Sequence, residues 1–188
     1  QVDTYGMMLD FPGSNYMWLA PLVEHPYDAN KAYLGGGGVS GGNHLVLLTA
    51  NAFSITYEEL DYNFNARISG MAYSSIDPSV RYVITENGSF YYSLDSGSNW
   101  TQTENFSGPT PQYFYGATIH PSPVNVNEVV IGGSGYDNPP VYKSENFGES
   151  FFPIHTGLPN TLVYDITGNV EGDLLFAATE VGPYVYES

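Results

Sequence analysis

Short apolar runs separated by polar turns dominate the chain, and the same order of run and turn returns about every 45 residues. In one copy the apolar runs are centred at 68–74, 81–85, 89–94 and 99–103, with Gly, Asn, Asp and Pro residues between them. Runs of this length bounded by turn residues are typical of β-strands. We therefore predict four antiparallel strands in each copy.

The first two strands of each copy form the clearest repeat. A strand, a turn rich in Pro, Asp or Asn, and a second strand recur over residues 22–35, 71–84, 117–133 and 164–179. A single four-stranded sheet cannot bury both of its faces, so the copies must pack side by side, and radial closure protects their edges. The predicted fold class is all-β: a β-propeller of four-stranded antiparallel blades, with about 3.5 blades present as a partial ring.

The repeat also predicts how the chain is divided. We expect the whole of 1–188 to be a partial propeller that continues in further blades of the same protein, and those blades are its first expected partners. The expected segments are the end of a preceding blade at 1–15, blades at 16–66, 67–112 and 113–160, and a truncated blade at 161–188.

A turn motif follows the third strand of each copy, with the pattern Ser-x-Asp/Asn-x-Gly-x-x-Trp/Phe. It is present twice, as Ser93, Asp95, Gly97 and Trp100, and as Ser144, Asn146, Gly148 and Phe151. A degenerate version runs from Thr49 to Phe53. The motif resembles the Asp-box, or BNR repeat, of the sialidase superfamily, of sortilin-type receptor propellers and of xyloglucan-active glycoside hydrolases. Asn99 departs from the Thr that is usual at its position.

These motif residues have a structural explanation. The carboxylate of Asp95 can accept hydrogen bonds from backbone N–H groups of its own turn, Gly97 permits a positive φ, and the ring of Trp100 can fill the space between blades. In the families that the motif resembles, this turn lies on the rim opposite the active site. We therefore assign the eight residues of both turns a structural role.

The alternation of strand direction sends the remaining loops to the opposite rim, which we call the loop rim. It collects the loops at 35–44, 86–88, 134–140 and 180–183, together with the connections between blades. Carboxylates and aromatic rings occur together there, and this combination suits sugars, which stack on rings and donate to carboxylates. The candidate ligand-binding residues are Asp61, Tyr62, Glu86, Tyr113, Tyr136, Asp137 and Glu180. The alternative is that these are solvated loop charges and aromatic residues that pack between blades.

Composition narrows the choice of partners. The 188 residues contain 20 Asp and Glu against 4 Lys and Arg, for a net charge of -16, which would repel nucleic acid and anionic membrane surfaces. No apolar run is long enough to span a bilayer. There is no cysteine, and the histidines lack metal-ligand spacing. We predict no cofactor and no metal site; calcium would suit the acidity, but no calcium-loop motif is present.

The leading hypothesis is a non-catalytic propeller module of a secreted or cell-surface protein that recognises glycans or extracellular proteins, or serves adhesion or architecture. One alternative is part of a xyloglucanase-like or sialidase-like glycoside hydrolase, and another is a sortilin-like peptide receptor. The resemblance to sialidases implies a cluster of three arginines that binds the carboxylate of the substrate. This chain has only Arg67 and Arg81, so we assign no catalytic residue. The strand ends near Leu158 and Val181 also resemble large cell-surface proteins of the Bacteroidota, which commonly use type IX secretion.

Overall fold

Antiparallel strands make up nearly all the regular structure. The computed structural model describes residues 17–37, 40–51, 54–110, 116–136 and 138–187, and in these it contains fifteen strands and one short 3-10 turn at Ser40–Gly42. The described residues include no helix long and apolar enough to cross a membrane.

Four sheets follow one another along the chain, each made of consecutive antiparallel strands. The first sheet contains β1 (Leu22–Glu24), β2 (Lys31–Leu34), β3 (Val46–Asn51) and β4 (Ser54–Glu59). The second contains β5 (Ile68–Tyr73), β6 (Arg81–Thr85), β7 (Phe90–Ser93) and β8 (Thr101–Gln102). The third contains β9 (Thr118–Pro121), β10 (Val129–Gly132), β11 (Val141–Ser144) and β12 (Phe152–Pro153). The fourth has three strands: β13 (Val163–Gly168), β14 (Leu174–Thr179) and β15 (Gly182–Glu187).

This arrangement confirms the predicted all-β fold of antiparallel blades in a partial ring. Three sheets have the four strands of a complete blade, and the last has three. The exact division of the chain into blades stays a prediction. The segment 1–15 and the Phe53 end of the degenerate motif lie outside the described residues.

The central strands of the first three sheets are in the same register, which makes their residues comparable position by position. In the turn before each second strand, the N–H groups of Lys31, Val80 and Glu128 donate back to the carbonyls of Asp28, Asp77 and Asn125. The next residues therefore hold the same place in their strands: Ala32, which pairs with Leu48, Arg81, which pairs with Ser93, and Val129, which pairs with Ser144.

Buried apolar side chains fill the spaces between consecutive sheets. Tyr33 of the first sheet packs with Val83 and Tyr91 of the second, and we call this space the first groove. Phe90 of the second sheet packs with Val129 of the third in the second groove. A smaller cluster between the third and fourth sheets forms the third groove. Alternate residues of each central strand therefore face opposite grooves, as the period of a strand requires.

Close backbone approach between the inner strands depends on glycine. A Cβ atom added to Gly70 of β5 would lie 2.5 Å from the carbonyl oxygen of Ala117, and one on Gly116 would lie 2.3 Å from that of Ser69. Any larger residue would push β5 and β9 apart. The inner strands can therefore approach closely, as the centre of a ring requires.

Candidate functional site

Backbone hydrogen bonds tie the loop rim together from sheet to sheet. The Gly108 N–H donates to the Gly88 carbonyl at 2.8 Å, and the Ser134 N–H donates to the Thr110 carbonyl at 3.2 Å. The Gly135 N–H donates to the Thr161 carbonyl at 2.9 Å. Each bond joins a loop within one sheet to a connection between sheets, so the rim is a braced surface that can hold side chains in place.

Two of the candidate residues meet directly on this rim. The Tyr136 hydroxyl, in the loop between β10 and β11, donates to Glu180 Oε2 in the turn between β14 and β15. The Glu180 N–H donates to the Leu162 carbonyl at 3.0 Å, and Leu162 forms a β-bridge with Ser134. Tyr136 is 45% exposed. The third and fourth sheets thus present an aromatic face beside a carboxylate.

Glu86 is engaged in an ion pair. Its Oε2 atom accepts from Arg67 Nη2 at 2.6 Å and from Arg67 Nε at 2.8 Å, and its N–H donates to the Arg67 carbonyl at 2.8 Å. The bond to Glu86 raises the pKa of Arg67. Both side chains are about one-third exposed, so the pair braces the turn between β6 and β7 against the preceding connection.

Asp61 and Tyr62 lie at the first groove. The Tyr62 ring centroid is 4.8 Å from that of Phe64, 6.2 Å from Tyr91 and 6.3 Å from Trp100. Burial, followed by the nearby Tyr91, raises the pKa of Tyr62. Asp61 lines a cavity of about 350 Å³ in the same groove. Tyr62 therefore packs between sheets, as the alternative interpretation of the aromatic residues anticipated.

The candidates that the structure describes lie in three places. Tyr136 and Glu180 pair across the third and fourth sheets, Glu86 pairs with Arg67, and Asp61 and Tyr62 lie at the first groove. Tyr113 and Asp137 lie outside the described residues. The ligand-binding role of all seven stays a prediction.

Trp18 is a rim residue that the sequence analysis missed. It is 72% exposed, in the segment before β1. The Met17 N–H donates to the Gly36 carbonyl at 2.9 Å, and the Gly35 N–H donates to the Pro21 carbonyl at 2.9 Å. These bonds hold the segment beside the loop between β2 and β3, on the loop rim. The signal in the sequence was Pro21, because proline is favoured at the start of a strand and so marks the preceding segment, which contains Trp18, as a loop.

The first motif turn is organised around two side chains. Ser93 Oγ donates to Asp95 Oδ1 at 2.8 Å and accepts from the Gly97 N–H at 2.9 Å. Asp95 also accepts from the Asn99 N–H at 2.8 Å and from Asn99 Nδ2 at 2.6 Å. Donation from the Asn99 side chain, then its backbone, then Ser93 lowers the pKa of Asp95. Gly97 has a φ of 84°.

The second motif turn has the same connections with different chemistry. Ser144 Oγ donates to Asn146 Oδ1 at 2.9 Å and accepts from the Gly148 N–H at 2.9 Å. Asn146 Oδ1 accepts from the Ser150 N–H at 3.0 Å, and Asn146 Nδ2 donates to Ser150 Oγ at 3.0 Å. Gly148 has a φ of 91°. Asp95 faces an amide donor, whereas Asn146 donates to a hydroxyl, so each side chain has a matching partner.

The two aromatic residues that end these turns point into different grooves. In the first groove, the ring centroids of Trp100 and Phe64 are 5.1 Å apart. In the second groove, the ring centroid of Phe151 lies 4.8 Å from that of Phe90 and 4.5 Å from that of Phe106. The turns therefore place aromatic rings between consecutive sheets.

Metal ligands are not gathered in the described part of the chain, where no group of three or more His, Asp or Glu side chains could hold an ion. Glu86 is paired with Arg67, Glu180 accepts from Tyr136, and Asp95 accepts from Asn99.

Comparison with known proteins gives a likeness of fold. A GH74 enzyme of Niastella koreensis superposes with a TM-score of 0.60 at 20% identity, covering 93% of this chain and 30% of that protein. An ancestral GH74 enzyme superposes with a TM-score of 0.59 at 18% identity, covering 84% of this chain and 21% of that protein. The chain therefore spans less than a third of either enzyme. Neither a scan of protein-family models nor a search of curated proteins finds a match.

Proposed function

We propose that this chain is part of a non-catalytic, secreted propeller module that binds glycans at its loop rim. The observation that carries the proposal is the Tyr136–Glu180 pair, an exposed aromatic face whose hydroxyl is held by a carboxylate of the next sheet. The apolar face of a sugar stacks on such a ring, while the free lone pairs of the carboxylate accept from sugar hydroxyls. The hydrogen bond fixes the ring before a ligand arrives, which lowers the entropy lost on binding.

Trp18 supports the same proposal from the other end of the chain. Its indole is exposed in the segment that precedes β1 of the first sheet, while Tyr136 lies in a loop of the third sheet. Aromatic residues on separate sheets of a braced rim can contact successive sugar units. A glycan chain, with several units, is therefore a better fit than a single monosaccharide.

Affinity electrophoresis in gels that contain soluble neutral β-glucans, xyloglucan among them, tests this proposal. Replacing Tyr136 with Ala should abolish the retardation of the protein, and Trp18→Ala should weaken it. Tyr27 provides a matched control, because it is 67% exposed in the turn between β1 and β2, on the opposite rim. Tyr27→Ala should migrate like the unchanged protein. Equal retardation of the Tyr136 and Tyr27 variants would exclude the rim as the binding surface.

Part of a glycoside hydrolase is the second candidate, and the fold likeness to two GH74 enzymes favours it. Since the chain spans less than a third of either enzyme, the rest of such a site would belong to other parts of the protein. Release of reducing sugar by the full-length protein, lost in Asp61→Asn or Glu180→Gln, would establish this candidate. Retained glycan binding without any release supports the non-catalytic module.

A further inference from the structure

Arg81 is a buried cation without a carboxylate partner among the described residues. It is 5% exposed at the start of β6. Its Nη1 donates to the Tyr33 hydroxyl at 2.9 Å, and its Nε donates to the Pro78 carbonyl at 3.3 Å. The ion pairs of the described chain involve other cations. Its Cζ also lies 5.0 Å from the centroid of the Tyr33 ring, so neutral groups surround a buried charge for which a counter-ion would be expected.

The equivalent position in the next sheet shows that the fold itself does not need a cation there. Val129 occupies it, fully buried against Phe90 in the second groove. An aliphatic residue thus satisfies the same backbone position one blade further on. The charge of Arg81 is therefore a property of the first groove alone.

A cavity of about 350 Å³ adjoins this charge, within the size range of small-molecule pockets. Its lining includes Arg81, the rings of Tyr62 and Trp100, and the turn at 96–98. A Cβ atom added to Gly97 would lie 3.6 Å from Arg81 Nη1 and 3.4 Å from the Trp100 ring. The guanidinium and the indole therefore meet at one end of the cavity, where a missing side chain leaves room beside both.

Asp61 also lines this cavity. It belongs to the connection between β4 and β5, which leaves the sheet at the loop rim, whereas Ser96 and Gly97 lie in the motif turn at the opposite rim. No ion pair joins Asp61 to Arg81 in the described structure. The cavity thus brings together a guanidinium, a carboxylate and aromatic walls.

We propose that this cavity binds one hexuronic acid residue, with its carboxylate on Arg81 and its ring against Trp100 and Tyr62. A guanidinium offers a planar fork that matches a carboxylate, and the apolar face of a pyranose stacks on aromatic rings. Asp61 can accept from ring hydroxyls. Arg81 is the one cation among the described residues that line the cavity and Asp61 adds a negative charge, so the site suits a single carboxylate better than a phosphate dianion, whose second charge would be uncompensated. The net charge of -16 likewise disfavours a polyanion.

This site is separate from the loop-rim site of the proposed function, and the two can fail independently. Tyr136→Ala should leave uronate binding unchanged, and loss of the groove site should leave retention by neutral glucans unchanged.

Fluorescence of Trp100 provides a direct test, since the chain contains only two tryptophans. In a Trp18→Phe background, titration with D-glucuronate should give a saturable change with a dissociation constant in the millimolar range. D-Glucose, which has the same ring without the carboxylate, should give none. Equilibrium dialysis with labelled glucuronate checks the stoichiometry of one. Absence of saturable binding by both methods, or an equal response to glucose, would overturn the proposal.

Two variants then assign the binding to the cavity. Arg81→Val, which copies the residue of the next sheet, should weaken glucuronate binding at least tenfold, while Asp61→Asn should tighten it several-fold by removing a repelling charge. Circular dichroism verifies that Arg81→Val is folded. Should that variant not fold, Arg81→Lys keeps the charge without the fork and should weaken binding several-fold. Unchanged affinity in the folded Arg81 variant and in Asp61→Asn would place the uronate elsewhere and refute the site.

Discussion

The first and second grooves are built from equivalent positions of consecutive sheets, yet one is open and the other is filled. In the second groove, Phe151 packs against Phe90 and stacks on Phe106, whose ring lies 5.3 Å from Tyr142. In the first groove, Trp100 borders a cavity of about 350 Å³ that Arg81 also lines. The motif turns that deliver Trp100 and Phe151 have the same hydrogen-bond connections. The difference therefore comes from a few side chains and not from the backbone.

The repeat requires a packing contact between consecutive sheets, but it leaves some of the residues in the groove free to vary. Every copy needs a hydrophobic or aromatic contact between sheets, because a blade cannot bury its faces alone. The residue at the start of the second strand is free to vary, from Val129 to Arg81, provided that its surroundings change with it. A ligand cavity can thus arise between blades without disturbing the ring.

Replacing each of these two residues with the other, in separate variants, should give the largest change in the free energy of unfolding, and the two changes should be very unequal. Val129→Arg places a cation in a groove filled by aromatic rings, with no cavity to receive it, and should destabilise the protein by about 3–5 kcal/mol or prevent folding. Arg81→Val removes a buried charge and should change the free energy of unfolding by less than about 1.5 kcal/mol, even though Tyr33 loses a hydrogen bond. Urea unfolding followed by circular dichroism measures both. Similar losses from the two exchanges would mean that the grooves are equivalent.

Shortening an aromatic residue of the filled groove should have the next largest effect. Phe90 is fully buried and contacts Phe151, so Phe90→Ala should lower the free energy of unfolding by about 3–5 kcal/mol. Trp100→Ala should cost less, about 2 kcal/mol, because the indole already borders an open cavity. Urea unfolding midpoints at a common slope provide the comparison. A larger loss for Trp100→Ala would show that the first groove is the tighter of the two.

The fold was accessible from the sequence because local signals and the repeat agree. The turn residues of each copy recur in phase, and the register of β6 with β7 places Ser93 and its turn where the motif spacing predicts. Tyr136 and Glu180 were assigned to one rim from strand direction alone. Their hydrogen bond depends on how closely the third and fourth sheets approach, which strand order does not specify.

The first groove was harder to predict for two physical reasons. Tyr62 lies in a connection that topology sends to the loop rim, but the ring turns inward to Phe64, and the choice between rim and interior depends on packing. Arg81 was recognised as a strand residue. Its burial without a carboxylate partner in the described structure becomes evident only when the aromatic walls of the cavity are in place. Alignment of Arg81 with Val129 was the one signal in the sequence.

The smallest expected effect distinguishes the two motif turns by pH. Hydrogen bonds from Asn99 and Ser93 hold the pKa of Asp95 below its unfolded value, so the stabilisation is present above that unfolded value, about 3.9, and is lost as the pH falls through the folded pKa. Asn146 does not titrate, so its turn has no such dependence. Asp95→Asn should therefore lose less stability between pH 5 and pH 2 than the unchanged protein, while Asn146→Asp should lose more. Thermal unfolding across that pH range measures the differences, which will be small because Asp95 is exposed to solvent. Identical pH profiles for all three proteins would show that the carboxylate of Asp95 contributes no more to its turn than the amide of Asn146 does.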